Sequence, residues 1–482
     1  MVAFGKLGAL ASNLFGAGST PSDPVSELKP LQGTSDEMHG RLGNSAWDAP
    51  RCVTEFDVNA RLSFTGVKAH EYTDAPSVMR EKVKLLATLI RKSKRCIVYT
   101  GAGISTAAGI DDYATKAKDL SVTAKDRPKL KDWKLARPTT THRVLTALYE
   151  AGHLKHWIQQ NHDSLPQKAG YPQHALNEIH GSLHDPANPV VPYEGTLRAD
   201  LFQWLDEWEH ANDLCIAMGT SLSGFNADRV PATAAQCYDA GSSLGLVIIN
   251  LQQTPYDGQS SLRIFGRVDD VMLLLSSELG IASTVRPAGH VYQPDVAAGS
   301  MIDEDVFEIP FDSGGNPSSS LRVTWDLRAG QCVRLTDGPY AGDVGVIMGK
   351  NADGHYRIRF EDTWNRTLKM RMRPFSLWLG SWWVAEATHG FGIVPGGRIP
   401  FTNVERPQWA VEALRRQEAE ACGGAIGGAT APASGAIGGT TAPAKGAIVA
   451  RQGCTADGSI PPPPPLPPPR AARVQRGITT EQ

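Results

Sequence analysis

The apolar run Cys96-Ile97-Val98-Tyr99 stops at Thr100-Gly101-Ala102-Gly103-Ile104-Ser105, and this junction constrains the fold more than any other stretch of the chain. A short β-rich run that ends in glycines is how α/β folds bring backbone amides against a phosphate. Glycine has no Cβ, so the chain can come close, and the N–H groups at the start of a following helix present the positive end of a dipole. The third glycine is Gly109, which makes the spacing G-x-G-x5-G and not the G-x-G-x-x-G of dehydrogenases. No acidic residue ends a second strand about 20 positions later to take the ribose hydroxyls. Alone, the junction fits a plain loop as well as a phosphate cradle.

The surrounding chain supplies an α/β frame. Pro76 through Lys92 reads as a helix with Met79, Val83, Leu86 and Ile90 on one face. Strands are predicted at 95–100, 156–160, 214–218, 245–250 and 262–266, with helices such as 139–151 and 199–210 between them. That alternation predicts a Rossmann-like, mainly parallel sheet with helices on both faces. Asp269 and Asp270 open a further helix that stops at Gly280, with acids at its positive end.

Flanking segments differ in texture. Residues 1–70 are rich in Gly, Ser, Pro and Asp and are expected to be mostly irregular, ahead of the α/β domain over 71–282. Residues 283–327 read as a linker. Over 328–380, glycine-bounded short strands with strict alternation, from Asp337-Gly338-Pro339-Tyr340 to His355-Tyr356-Arg357-Ile358-Arg359-Phe360, predict a small β-barrel. The phrase resembles KOW/SH3-like modules of nucleic-acid and chromatin proteins. Its segment Leu368–Arg373 alternates cations with apolar residues, which suits a solvated strand or a nucleic-acid contact. Residues 381–482 are expected to form a low-complexity tail, in which Gly424–Ser434 nearly repeats and Pro461–Pro469 is all proline except Leu466. That run should hold a polyproline II helix, either as a stiff solvated tail or as a ligand for an SH3 or WW groove.

Composition sets outer bounds. The chain has 482 residues, 41% of them hydrophobic, which leaves room for two or three domains. A net charge of −2 argues against a protein built mainly to coat nucleic acid. The seven cysteines are scattered with no C-x-x-C, so a reducing compartment and no disulfide scaffold are expected. No apolar run is long enough for a spanning helix, so no membrane partner is expected. Residues 1–22 lack the arginines of a transit peptide, and a nuclear or cytoplasmic location is expected.

The neighbouring words decide the reading of the glycine junction. Gly101-Ala102-Gly103-Ile104-Ser105-Thr106-Ala107-Ala108-Gly109-Ile110-Asp111-Asp112-Tyr113 resembles the sirtuin signature G-A-G-x-S-x-x-x-G-I-P-D-[FY]-R. Gln160-Asn161-His162-Asp163 resembles the family's Q-N-x-D, Ile179-His180-Gly181-Ser182 its [LI]-H-G-[SN], and Gly219-Thr220-Ser221-Leu222 its G-[TS]-S-L. Val247-Ile248-Ile249-Asn250-Leu251-Gln252-Gln253-Thr254 and Val268-Asp269-Asp270-Val271-Met272 resemble the nucleotide-binding end of the domain, in wording nearest the class IV branch.

The resemblance implies NAD across the carboxyl edge of the sheet, with pyrophosphate against the Gly101–Ser105 turn. It implies transfer of an acyl group from a protein lysine to ADP-ribose, giving nicotinamide, O-acyl-ADP-ribose and free lysine. His180 matches the base that deprotonates a ribose hydroxyl, and imidazole suits that work because its ordinary pKa is about 6.5. Asn161 and Asp163 match residues that orient the ribose and carboxamide. Gly101, Ala102, Gly103, Ser105, Asp112, Tyr113, Gln160, Gly219, Thr220, Ser221, Asn250, Leu251 and Val268 match the cofactor-binding positions, Val268 lying against adenine.

This chain also departs from the pattern. Asp111 and Ala114 stand where the family has proline and arginine, and an arginine lost there takes away five directional donors. His162 replaces a small or apolar residue of the nicotinamide pocket. No cysteine lies between Leu183 and Glu194, where the family places its zinc-binding pairs, so no structural zinc is expected; His184, Asp185 and Glu194 have metal-binding side chains but read more readily as surface loop. An active deacylase acting on acylated-lysine proteins is therefore weighed against a catalytically weak NAD/ADP-ribose-binding module. NAD hydrolysis or ADP-ribosyl transfer from the same pocket stays open.

Overall fold

Helix α1 (Pro76–Lys92) begins on a proline, whose missing N–H is no loss at a helix start, and turns Val78, Val83, Leu86 and Ile90 into the core. It delivers the chain to β1 (Cys96–Thr100), which is buried at every position. The computed structural model describes residues 28–412 apart from 62–63, 112–127, 131, 192–194, 224–225, 294, 362–363, 366–369 and 372–374. All of these lie in one unit, Met1–Cys422; a second unit, Gly423–Gln482, falls outside the described residues together with the proline run.

Five more strands join β1: β2 (His156–Gln159), β3 (Leu176–Glu178), β4 (Leu214–Met218), β5 (Leu246–Ile249) and β6 (Leu262–Ile264). Every pairing is parallel and the order is β3-β2-β1-β4-β5-β6. Successive residues of the strands serve opposite faces. Val98, Ile216 and Val247 pack with α1, α2 (Thr140–Glu150) and α5 (Val268–Glu278). Ile97, Tyr99, Ala217 and Ile248 pack with α3 (Ala199–Ala211) and α4 (Arg229–Asp239). Strand order reverses between β1 and β4, and the carboxyl ends of strands at such a switch point form the crevice where α/β folds bind ligands. This is the α/β architecture the alternation predicts.

The amino-terminal stretch departs from expectation. Thr34 and Glu37 form a capping box on the short helix Ser35–His39, and Arg51–Thr54 pairs antiparallel with Glu71–Thr73. The N–H groups of Arg41 and Leu42 donate to Ser260 and Ser261 at the start of β6, so the segment covers the sheet edge. Composition read this part as irregular because capping and backbone pairing leave no hydrophobic period.

The second core is larger than the predicted 328–380 barrel. An antiparallel sheet runs β12-β11-β10-β9-β13, with β9 (Cys332–Leu335), β10 (Val344–Lys350), β11 (Tyr356–Phe360), β12 (Ser376–Leu379) and β13 (Phe401–Val404). The stretch expected as a linker supplies β7 (Val306–Ile309) and β8 (Val323–Asp326), and the expected tail supplies α6 (Trp382–Thr388) as well as β13. Trp325 from the former is buried against Phe401 from the latter, and its Nε1 donates to the Phe401 carbonyl at 3.1 Å. No local pattern reports a partner 76 residues away. Within the basic segment, Met370–Arg371 pairs with Trp364–Asn365; the rest of it falls outside the described residues. Among the described residues no helix is long and apolar enough to cross a membrane.

Candidate functional site

The loops that leave β1 and β4 lie backbone on backbone at the switch point. Gly103 N–H donates to the Gly219 carbonyl at 2.8 Å, and Gly101 N–H to the Met218 carbonyl at 3.3 Å. A Cβ on Gly103 would sit 2.7 Å from Gly219 Cα, and one on Gly219 would sit 2.6 Å from Ile104 N. Gly219 also has φ of +60°, in the left-handed region. The glycines therefore serve each other first, and any dinucleotide second. Beyond Gly101 the chain makes two single 3₁₀ turns, Ala102–Ile104 and Thr106–Ala108, in place of a long helix. The amides of Gly101, Gly103, Ile104 and Ser105 are taken up by protein carbonyls, which corrects the picture of a simple helix N-terminus aimed at phosphate.

The loop after β2 is bolted onto this turn. Asn161 Nδ2 donates to the Gly101 carbonyl at 3.0 Å and to Ser105 Oγ at 3.1 Å. Ser105 Oγ in turn donates to Asp163 Oδ2 at 2.6 Å, while Asp163 Oδ1 accepts from Leu165 N at 3.0 Å and Gln159 Nε2 at 3.3 Å. Gln160 reaches across to β4, its Nε2 donating to Thr220 Oγ1 at 3.1 Å. Asn161 and Asp163 thus meet through Ser105, a link their spacing alone does not announce.

His180 joins the same group. It follows β3 in a tight turn at Gly181, where φ is +86° and a Cβ would lie 2.3 Å from the Pro189 carbonyl oxygen. Its Nδ1 lies 3.3 Å from the Gln160 carbonyl oxygen. A carbonyl can only accept, so Nδ1 carries the proton and Nε2 bears the lone pair that a base needs. The departing residue His162 braces the turn, with Nδ1 3.0 Å from the Gly181 carbonyl oxygen. Nearby Glu178, at the end of β3, is fully buried, and burial raises its carboxyl to about 8.

The far side of the crevice is set by Asn250, whose Nδ2 donates to the Thr220 carbonyl at 3.1 Å and whose Oδ1 accepts from Leu251 N at 3.1 Å. Ser221 lies in the same loop as Thr220, with its carbonyl taken by Ser223 Oγ at 3.1 Å. Buried Arg263 fixes the Asn250 loop: it donates to the Asn250 and Gln252 carbonyls at 3.0 and 2.6 Å and to Asp257 Oδ1 at 2.7 Å. Nothing in the spacing of Arg263 and Asp257 marks that role. Val268 is buried at the first position of α5, within the core on that face. Asp269 caps α2 from outside, accepting from Thr141 N at 2.8 Å. Asp112 and Tyr113 lie outside the described residues.

Beyond His180, the segment expected as surface loop is clasped by the second core. Asp185 is buried and accepts from the amides of Ala187 and Asn188 at 2.9 and 3.2 Å, and burial raises its carboxyl to about 6. His184 is buried beside His355 and Trp382, with ring centroids at 4.6 and 5.6 Å, and its carbonyl accepts from Gly380 N at 2.8 Å. Desolvation pushes the His184 imidazole well below its ordinary range. Trp382 Nε1 and Glu386 Oε1 both bond Gln173, at 3.1 and 2.8 Å. Sequence reasoning misses this clasp because its halves are about 200 residues apart. Glu194 lies outside the described residues. Among the described residues, Asp206, Glu209 and His210 on α3 are grouped closely enough to hold a metal, but Arg229 already pairs with both carboxylates.

No family model matches the chain. The NAD-dependent protein deacetylase sirtuin-7 of Homo sapiens is 31% identical over 296 residues, covering 52% of this chain and 73% of its own length. The Mus musculus sirtuin-7 is 30% identical with the same coverage. NAD-dependent protein deacetylase SRT1 of Arabidopsis thaliana is 33% identical over 241 residues, covering 42% of this chain and 50% of its own. A solved chain described as "Structural Basis for the Mechanism and Regulation of Sir2 Enzymes" is covered fully by 43% of this chain, at 22% identity and a TM-score of 0.35.

Proposed function

The chain belongs to the sirtuin family, and from that premise we propose that it is an NAD-dependent protein lysine deacylase giving nicotinamide, O-acyl-ADP-ribose and free lysine. The two loops at the switch point suit a dinucleotide only with glycine at Gly101, Gly103 and Gly219, since a Cβ there would force the loops apart, and Gln160, Asn161, Ser221 and Asn250 are all partly exposed beside them. When bound, NAD supplies the ribosyl carbon that accepts the acyl oxygen.

The residues of this chain have separable tasks in that reading. Gly101–Ser105 and Gly219–Ser221 receive the pyrophosphate and ribose; Asn250, Leu251 and Val268 take the adenosine side. Asn161 and Asp163 hold the ribose and carboxamide in register, Asp163 acting through a carboxylate already ordered by Ser105 and Leu165 N. His180 takes a proton from a ribose hydroxyl at Nε2, the nitrogen opposite the one held by the Gln160 carbonyl. That fixed tautomer, adjoining the Asn161–Ser105–Asp163 chain, is the observation that most supports the reading.

The test is full-length protein with NAD and acetylated or longer-acylated lysine peptides, with free lysine peptide and nicotinamide followed together by mass spectrometry. Stoichiometric release of both, abolished by His180→Tyr, is expected. NAD binding without release would instead establish a binding module, which the Ala114 departure favours. We propose a nuclear or cytoplasmic location, with phosphate contact at Leu368–Arg373 set against a solvated strand and SH3 or WW docking at Pro461–Pro469 set against a stiff solvated tail. Cell fractionation and pull-down with the corresponding deletions check these.

A further inference from the structure

The second core does more than clasp the His180 loop: it closes one side of a cleft. A cavity of about 630 Å³ lies between residues 188–191 and 195–200 on one side and the loop Asp337–Tyr340 on the other, within the size range of ligand clefts. One wall is Pro189–Val191, and Val191 N–H donates to the His180 carbonyl at 2.9 Å, so this wall is bonded directly to the proposed base. The opposite wall is seated as closely as backbone permits. Gly338, at φ of +80°, lies where a Cβ would be 1.8 Å from the Ala187 carbonyl oxygen.

The charges of the cleft are arranged unequally. Arg198 spends its guanidinium inward: Nη1 donates to the Ala187 carbonyl at 2.9 Å, and Nε and Nη2 grip Asp200 at 3.0 and 2.5 Å. Asp337 Oδ2 lies 3.6 Å from the same group. The Arg198 side chain is only 8% exposed, whereas those of Asp200 and Asp337 are 37% and 44% exposed. The cleft is therefore lined by two partly exposed carboxylates and by Pro189, Val190 and Pro339, while the compensating Arg198 cation is nearly buried.

We infer that this cleft is the peptide channel, and that the loop Asp337–Tyr340 of the second core is its specificity-determining wall, selecting acyl-lysine peptides that carry a lysine or arginine beside the modified residue. The inference rests on the deacylase reading for the acyl-lysine itself; the flanking preference comes from the cleft. Asp337 is well suited to a test, because its Oδ1 accepts from Gly338 N at 2.7 Å and an asparagine keeps that acceptor while removing the charge.

Two fluorescent acetyl-lysine peptides, identical except for arginine or glutamate flanks, are titrated by anisotropy into full-length protein with and without the substitution. Wild type is expected to bind the arginine-flanked peptide more tightly, by a margin that shrinks with added salt. Asp337→Asn is expected to weaken that peptide about 3- to 10-fold, the range for one partly exposed charge, and to leave the glutamate-flanked peptide and NAD binding unchanged. Asp337→Lys is expected to reverse the preference; should it not fold, Asp337→Asn decides. Equal shifts for both peptides, no shift for either, or no peptide binding by wild type overturns the inference. A flank preference in binding with no turnover upholds the cleft and overturns only the deacylase reading.

Discussion

Replacing Ser105 by alanine removes the hydroxyl through which Asn161 and Asp163 meet. Ser105 is fully buried and Asp163 is 6% exposed, so water does not readily replace the 2.6 Å bond. A hydrogen bond to a buried charged group is worth about 1.5–3 kcal/mol, and the Asp163 carboxylate would keep only Leu165 N at 3.0 Å and a long contact from Gln159. Ser105→Ala should therefore destabilise the sheet domain by about 2 kcal/mol. Because the loss runs through one pair, Asp163→Ala and the double substitution should close a cycle with a coupling of about 1.5 kcal/mol or more. Urea unfolding followed by tryptophan fluorescence reads stability, and calorimetric titration reads NAD affinity. If the coupled loop shapes the cofactor site, NAD affinity falls at least tenfold in each single variant but little further in the double. Additive effects, or a Ser105→Ala protein within about 0.5 kcal/mol of wild type, would show that the link is incidental.

Two further outcomes follow from the same packing. Gly219→Ala puts a side chain on a left-handed residue against the Ile104 backbone, and a loss of about 2–4 kcal/mol with failure to bind NAD is expected; thermal melts and titration check it. His156 is buried on β2 between Trp204 and Trp208, and burial lowers its imidazole to about 3. Its ordinary pKa is about 6.5, so in acid the unfolded chain takes up a proton the folded protein resists. The stability tied to neutral His156 is complete above pH 6.5 and is lost as pH falls toward the folded value. His156→Phe should therefore gain on wild type by about 1.4 kcal/mol per pH unit over that window, and parallel urea curves at pH 7 and 5 test this; an unchanging difference contradicts it.

Much of the sheet is legible because its signals are local. Helix α1 begins on Pro76 and keeps an apolar face through Ile90, and four-residue to five-residue apolar runs mark β1, β4 and β5. Strand β3 escapes because Leu176–Glu178 has three residues, two of them polar and buried. The second core spreads past its predicted limits since Trp325, Phe401 and Trp383 meet only in three dimensions. Ordered words in the sequence single out Gly103, Asn161, Asp163 and His180. They do not reveal that Ser105 bridges two of them, that the Gln160 carbonyl sets the His180 tautomer, or that the second core holds the loop beyond it. Those are side-chain contacts between segments that only the fold brings together.

The claim that carries the rest is that the β1–β4 switch point holds a dinucleotide. Calorimetric titration of NAD into the full-length protein, beside Gly103→Val and His180→Ala, tests it directly. Saturable one-to-one binding is expected for wild type and His180→Ala, with none for Gly103→Val, whose side chain would press on the Gly219 backbone. No binding by wild type, or equal binding by folded Gly103→Val, would contradict the account.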